Sequence, residues 1–429
     1  MSIFDKTSGL EIVNLFRRAK LYPFFRKLEG SRGSNVLFQN KELIMMGSNN
    51  YLGLTHHPEV MEASIQAVKR WGTGCTGSRF LNGNLALHEE LESELADFLG
   101  FESCVVFASG FMANQGAIGA LVSAGEHIFS DKDNHACIIE GCMLSRARFH
   151  SYRHGNMEHL DRLLKKTDAH ANKLIITDGV FSMTGRLAPY DRIFELAKEH
   201  GATTYIDDAH GLGVVGKGGR GTANHFNLPV DILMGTFSKS LASQGGYICG
   251  SGDAIDWIKH KARTFMFSAA LAPASTAAAQ AALRILRSSP EMVDHLLANA
   301  KYLKEAFNSL GLNTMGTQTS VVPVFIGDDR VALKICQQLL ELGVFTTPVV
   351  YPAVPKGEAV IRCSLMATHT RTDLNRAIDA FTYLAPAIKE ANASPDKTAL
   401  LEYLDKPEMV KAGFSTESQK VVTKNSLPL

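Results

Sequence analysis

The sequence predicts an α/β fold: a large, mostly parallel sheet of about seven strands, followed by a smaller α+β unit. Three observations carry this. From residue 58 onward, short apolar runs alternate with helical repeats, the pattern of βαβ units with neighbouring parallel strands. Two of those runs, 203–206 and 232–234, end in loops dense in polar chemistry, Asp207-Asp208-Ala209-His210-Gly211 and Gly235-Thr236-Phe237-Ser238-Lys239-Ser240-Leu241. Finally, 429 residues at 45% hydrophobic content suffice for a large core and a second, smaller one.

Residues 1–56 read as an arm. Apolar side chains recur at helical spacing over 9–20, and the runs 35–38 and 42–46 form a short hairpin around Asn40-Lys41. The large domain, 57–290, opens with helices at 58–71 and 85–99. Strands are expected at 104–108, 127–130, 149–152, 173–177, 203–206, 232–234 and 246–249, with helices at 111–123, 135–145, 156–166 and 190–200 between them. Two long helical stretches follow, 273–287 and 291–310. The small domain, 291–390, continues with strands at 320–325, 344–348 and 360–365 and helices between. From about residue 391 to 429 the chain turns polar, with one weak helix near 397–404 and a tail without periodicity, expected to be a mobile appendage.

Bulk properties exclude several classes. A net charge of +1 with acids and bases interspersed carries no nucleic-acid footprint. The seven cysteines are scattered and never spaced C-x-x-C, which argues against a zinc site or a disulfide framework and fits reduced thiols in the cytoplasm. No run reaches the roughly 20 apolar residues of a membrane span, and the N-terminus has no apolar leader. That leaves peripheral contact with a membrane surface open.

Lys239 lies in a tight loop just after a buried strand, where a charged amine is costly to bury. Asp207 and His210 end another strand, on the edge where open α/β sheets keep their ligands. An amine, a carboxylate and an imidazole converging there suit a cofactor that forms a Schiff base and carries a ring nitrogen: pyridoxal 5'-phosphate (PLP). Ala108-Ser109-Gly110-Phe111-Met112 joins a strand to a helix, so the Gly110 and Phe111 amides can meet a phosphate, and Thr236 and Ser238 can add hydroxyls. His135, opening a helix after Asp131-Lys132-Asp133-Asn134, can stack on a planar ring.

Two other motifs fail on context. Gly211-Leu212-Gly213-Val214-Val215-Gly216-Lys217-Gly218 nearly matches a nucleotide phosphate loop, but glycine replaces the required hydroxyl residue and no apolar helix follows. The Asp207-Asp208-Ala209-His210 box precedes that loop instead of following it. Residues 216–221 read instead as a flexible surface turn.

With these segments in place, the chain resembles the α-oxoamine synthase family, PLP enzymes of fold type I with an aspartate-aminotransferase-like architecture. The resemblance spans roughly 12–390 and rests on runs that include Gly47-Ser48-Asn49-Asn50-Tyr51-Leu52-Gly53-Leu54, Thr76-Gly77-Ser78-Arg79-Phe80-Leu81-Asn82-Gly83, Asp178-Gly179-Val180-Phe181-Ser182-Met183 and the Lys239 loop. It implies that Lys239 bonds the cofactor and then acts as base. Asp207 pairs with the ring nitrogen and His135 stacks while reaching the substrate. Ser182 and His210 serve the phenolic oxygen. Gly110, Phe111, Thr236 and Ser240 lie near the phosphate, and Ser268 reaches it from a partner subunit, hence a homodimer with shared sites. Asn49 and Arg362 hold the amino-acid carboxylate.

The implied reaction is a decarboxylative condensation of a small amino acid, serine favoured, with a long-chain acyl-CoA. The run Tyr351-Pro352-Ala353-Val354-Pro355-Lys356-Gly357 resembles members that use glycine, so glycine or a shorter acyl donor is the alternative. Some members of the fold lack the lysine and serve only as partner subunits. Lys239, Asp207 and His135 are all retained here.

Overall fold

The computed structural model describes residues 2–18, 21–394 and 396–404; the tail expected beyond residue 404 lies outside the described residues. The described strands form three sheets. In the arm, β1 (Gly30–Arg32), β2 (Asn35–Phe38) and β3 (Lys41–Met45) make an antiparallel ribbon. The β2–β3 turn falls on Gln39 and Asn40, both at positive φ. That is one residue before the turn expected from sequence, and it is the backbone twist that tight hairpins favour.

The large sheet contains β4 (Ser103–Phe107), β5 (His127–Asp131), β6 (Arg148–Tyr152), β7 (Lys173–Asp178), β8 (Thr203–Asp207), β9 (Ile232–Thr236) and β10 (Gly246–Gly250). Their order is β4-β10-β9-β8-β7-β5-β6, and β10 alone runs against the rest. All seven strands fall where the apolar runs place them. Helices cover both faces, so alternate side chains enter two different cores. Val105, Ile128, Ile176, Tyr205, Met234 and Ile248 pack on one face with Ala113, Ala117 and Ile138. Val106, Phe129, Ile175, Ile206, Leu233 and Tyr247 pack on the other with Leu95, Leu160 and Ile193. Burial on both faces explains why these strands read as continuous apolar runs.

The same alternation sorts the polar residues at the strand ends. Asp207 and Thr236 follow Tyr205 and Met234 onto the first face, while Asp208 turns to the second. There Asp208 accepts hydrogen bonds from the Thr222 amide (2.9 Å) and hydroxyl (2.6 Å), and burial pushes its carboxyl up to about 6. Residues 216–221 are therefore not the loose surface turn expected. Gly219 and Gly221 are buried, and a Cβ on Gly219 would stand 2.9 Å from Gly213 Cα and 3.0 Å from Val293.

Beyond the helices Pro273–Ser288 and Glu291–Ser309 come β11 (Val321–Gly327), β12 (Val344–Phe345), β13 (Thr347–Val349) and β14 (Ala359–Ser364). β11, β14 and β13 form an antiparallel sheet, while β12 pairs in parallel with β3 of the arm. The arm is thus stitched into the C-terminal part of the chain. Four described α-helices had no explicit place in the sequence reading: Thr222–Phe226, Gly252–Lys261, Arg263–Met266 and Arg371–Ala393, the last running through Pro386.

His369 reinforces the stitch between β3 and the C-terminal part. Its Nδ1 accepts the Met366 amide (2.9 Å) and its Nε2 lies 3.1 Å from the Met45 carbonyl, so the ring is held neutral. Burial takes its pKa down to about 4, against the opposing pull of the Met45 carbonyl and Asp373. A depressed base is protonated first in the unfolded chain, so its contribution is complete above pH 6.5 and lost as pH falls towards 4. The loss is about 3 kcal/mol. Urea unfolding between pH 7 and 4.5 should show it, and His369→Gln should flatten that slope; an unchanged slope in the variant would refute the assignment.

Candidate active site

The site forms where β7, β8 and β9 end. Asp178 pairs in register with Asp207, and Asp207 with Met234, two residues before Thr236. After Thr236 the chain folds back on itself: Phe237 donates to the Gly245 carbonyl (3.0 Å), Ala242 to Lys239 (3.1 Å), and the Thr236 hydroxyl to Gly245 (2.8 Å). This closed loop holds Lys239, partly buried, beside both carboxylates. Burial drives the Lys239 amine below its ordinary pKa; Asp207 and Asp178 pull it back, and Arg362 adds to the lowering. Burial, then the neighbouring Asp207, raises the Asp178 carboxyl.

Asp207 is buried and anchored. Its Oδ1 accepts the Ala209 amide (3.0 Å) and its Oδ2 accepts Asn114 Nδ2 (2.7 Å); Asn114 Oδ1 in turn accepts the Tyr205 hydroxyl (2.8 Å). His135 stands exposed at the start of the helix Ala136–Ser145. Its amide donates to Asp178 Oδ2 (2.9 Å), and its Nδ1 accepts the Cys137 amide (3.2 Å).

Opposite, three segments distant in sequence meet at Arg362 on β14. Nε donates to the Ser182 carbonyl (2.6 Å), Nη1 to Asn49 Oδ1 (2.9 Å) and the Ser364 hydroxyl (2.6 Å), and Nη2 to the Tyr51 hydroxyl (3.2 Å). Four of the guanidinium's five N–H groups are thus engaged within the chain. The Tyr51 hydroxyl also lies 2.6 Å from His210 Nδ1. Burial, then the charges of Lys239 and Arg362, hold His210 well below the usual imidazole range. The Tyr51 hydroxyl also lies 3.3 Å from Asn49 Oδ1, so neutral His210 either accepts the Tyr51 proton at Nδ1 or donates to the Tyr51 oxygen.

An anion cradle lies beside this cluster. Ser109 caps the helix Gly110–Leu121 by accepting the Met112 amide (3.1 Å), and its carbonyl takes Ala113, which leaves the Gly110 and Phe111 amides at the open helix end. A Cβ on Gly110 would lie 3.1 Å from the Thr236 hydroxyl, and one on Gly246 only 2.5 Å from Gly110 Cα, so glycine at both positions brings the helix down onto the sheet edge. The Thr236 and Ser238 hydroxyls are 3.1 Å apart. Ser240 is committed elsewhere, donating to the Leu212 carbonyl (2.6 Å) against Gly213. Ser268 is half-buried just past the helix Arg263–Met266, which Thr264 ties to the Met112 carbonyl (2.7 Å).

Lys239, Asp207, His135, His210, Gly110, Phe111 and Thr236 thus come together, with Ser182, Asn49 and Arg362 forming the facing wall. Sequence reasoning assigned no role to Tyr51, Asn114, Cys137 or Asp178. Tyr51 and Asp178 lie inside motifs named above and Asn114 follows one two residues on, but their partners come from other elements and only the fold reveals them. A cleft of about 900 Å³ opens at the opposite strand ends near Lys173, Thr203 and Ile232, away from Lys239.

The donor set fits PLP in kind: a buried amine, a fixed carboxylate for a ring nitrogen, a neutral N–H donor, an exposed imidazole to stack, and a helix end with glycine's clearance for phosphate. Fold and site define a PLP-dependent enzyme of fold type I. Residues 41–381 match the aminotransferase class I and II family. The chain is 49% identical over 381 residues to serine palmitoyltransferase of Bacteriovorax stolpii, covering 88% of this chain and 91% of that protein. It is 45% identical over 383 residues to 8-amino-7-oxononanoate synthase of Thermoanaerobacter pseudethanolicus, covering 89% and 97%. A variant of serine palmitoyltransferase from S. paucimobilis, solved with PLP bound, superposes with a TM-score of 0.88 at 31% identity, covering 91% and 100%. The chain belongs to the class I and II aminotransferase family, in its α-oxoamine synthase branch, and is a PLP-dependent acyltransferase.

Proposed function

We propose that the protein condenses L-serine with a long-chain acyl-CoA, releasing CO2 and free CoA and giving 3-ketodihydrosphingosine, the first product of sphingolipid synthesis. The observation that carries the chemistry is Lys239, its amine lowered by burial beside Asp207 and facing the Arg362 wall. The likeness to serine palmitoyltransferase across 88% of the chain supports serine and a long acyl chain.

The residues divide the work. Arg362 and Asn49 receive the serine carboxylate: Arg362 has one N–H unengaged, and the carboxylate takes over donors now turned to Asn49 and Ser182. Lys239 anchors the cofactor between turnovers and, once displaced by serine, uses its neutral amine to take the Cα proton. When bound, PLP supplies an electron sink for the pair left at Cα. Asp207 offers its remaining lone pairs to the ring nitrogen and keeps that nitrogen protonated. His135 stacks on the ring and reaches the substrate, while His210 and Ser182 serve the phenolic oxygen. Gly110, Phe111, Thr236 and a partner's copy of Ser268 hold the phosphate, while Ser240 stays bonded to the Leu212 carbonyl. A new bond joins Cα to the acyl carbonyl carbon, the C–S bond breaks and CoA leaves with the sulfur's electron pair. The bond from Cα to the carboxylate then breaks, CO2 departs, and Lys239 returns a proton to Cα.

A homodimer in the cytoplasm completes the proposal. Phe267, next to Ser268, Phe111 at the start of the helix Gly110–Leu121, and Met143 and Leu144 on the helix Ala136–Ser145 packed against it are all exposed, apolar side chains that a second copy would cover. All seven cysteines are free thiols.

A second reading, an 8-amino-7-oxononanoate synthase or a glycine C-acetyltransferase, is favoured by the 45% identity to the former and by the Tyr351 to Gly357 run. Free CoA release from a panel of serine, glycine and alanine against acetyl-, pimeloyl- and palmitoyl-CoA separates them. Serine with palmitoyl-CoA is expected to exceed every other pair. Preference for alanine with pimeloyl-CoA would replace the first reading by the second, and silence across the panel would favour a non-catalytic partner subunit.

A further inference from the structure

Cys137 has no part in the chemistry above, yet it closes a complete hydrogen-bond account inside the site. Asn114 has one acceptor and two N–H donors. Its Oδ1 takes the Tyr205 hydroxyl (2.8 Å), which fixes the amide's orientation; one N–H goes to Asp207 Oδ2 (2.7 Å) and the other to Cys137 Sγ (3.1 Å). The Cys137 sulfur is thus an acceptor towards Asn114. Its own proton is retained, because burial and then the Asp207 charge push the thiol up to about 12. The partner left for that proton is His135 Nδ1, 2.8 Å from Sγ, which also receives the Cys137 amide at 3.2 Å.

We infer that Cys137 is a positioning residue: its thiol relays the Asp207–Asn114 pair to His135 and holds the imidazole as the tautomer with its proton on Nε2. Two donors converge on Nδ1, so that nitrogen must keep its lone pair, and Nε2–H becomes the ring's outward donor. The backbone amide alone, at 3.2 Å, is a weak constraint on an exposed ring. The thiol adds the second restraint and connects it to the carboxylate that faces the cofactor. A cation arriving beside Asp207 competes for the carboxylate's lone pairs and weakens Asn114's donation to it, which alters what reaches Sγ and so His135. The inference rests on the proposed function only for the use made of Nε2–H; the tautomer itself is a property of the chain.

The test follows histidine ring nitrogens by 15N NMR at neutral pH in the full-length protein, before and after loading with PLP, with His135 assigned by its loss in His135→Gln. Wild type should show widely split Nδ1 and Nε2 shifts, the pattern of a single Nε2–H tautomer. Cys137→Ala and Cys137→Val, which cannot donate, should bring the two shifts together as both tautomers populate. Cys137→Ser should restore the split. In the loaded enzyme the Ala variant should lose about tenfold in kcat with the KM for serine unchanged, a loss Cys137→Ser recovers. Unchanged shifts in a folded Ala or Val variant, or a Ser variant behaving like Ala, would overturn the inference. Failure of the proposed function is separate: serine with palmitoyl-CoA would release no free CoA, while the unloaded spectra still report the tautomer.

Discussion

Lys239→Ala should lower condensation by on the order of 10⁴-fold or more and abolish the visible absorbance of PLP bound to the chain. In the proposed mechanism one side chain fills both roles, anchor and base, and no second amine replaces it: the other cation of the site, Arg362, cannot lose its proton. The fold should survive. Lys239 sits on a loop held by the hydrogen bonds of Thr236, Phe237 and Ala242, none of which uses its amine. Removing a partly buried amine whose ammonium form is disfavoured costs little stability. A folded Lys239→Ala protein with near-normal turnover would remove the lysine from the mechanism altogether.

Asp207→Asn should cost roughly 10²- to 10³-fold in kcat while leaving PLP bound. The reason lies in its surroundings. Asp207 accepts from Ala209 and from Asn114, two donors fixed by other contacts, so an amide can satisfy only one of them and turns an N–H towards the other. That local conflict is worth about 1–3 kcal/mol, small enough for the sheet to hold. The larger expected loss is chemical, because in the proposed mechanism the carboxylate keeps the ring nitrogen protonated and a neutral amide cannot. Asp207→Asn turnover within a few-fold of wild type, with the fold intact by circular dichroism, would refute the role given to Asp207.

Much of this was legible in the chain, for identifiable reasons. Strands buried on both faces leave uninterrupted apolar runs, and each such run became a strand of the large sheet. Residues that act through local geometry were visible too: Lys239, Asp207 and His210 follow strands directly, and Gly110 opens a helix. What stayed hidden is long-range. Arg362 reads as an ordinary charge in a strand until β14 brings it to Asn49 and Ser182, 313 and 180 positions away. Tyr51 joins His210 to Arg362 only because the arm is paired with β12. Residues 216–221 misled for the opposite reason, since a glycine-rich run looks loose whether or not neighbours crowd it. Here Asp208, Gly213 and Val293 do.

The proposed function makes one stoichiometric demand that no simpler acyl transfer shares. With serine labelled at the carboxyl carbon and palmitoyl-CoA as donor, the loaded enzyme should release one labelled CO2 for each free CoA, and Lys239→Ala should release neither. Free CoA without labelled CO2 would mean hydrolysis or plain acylation of serine, and would contradict decarboxylative condensation at this site.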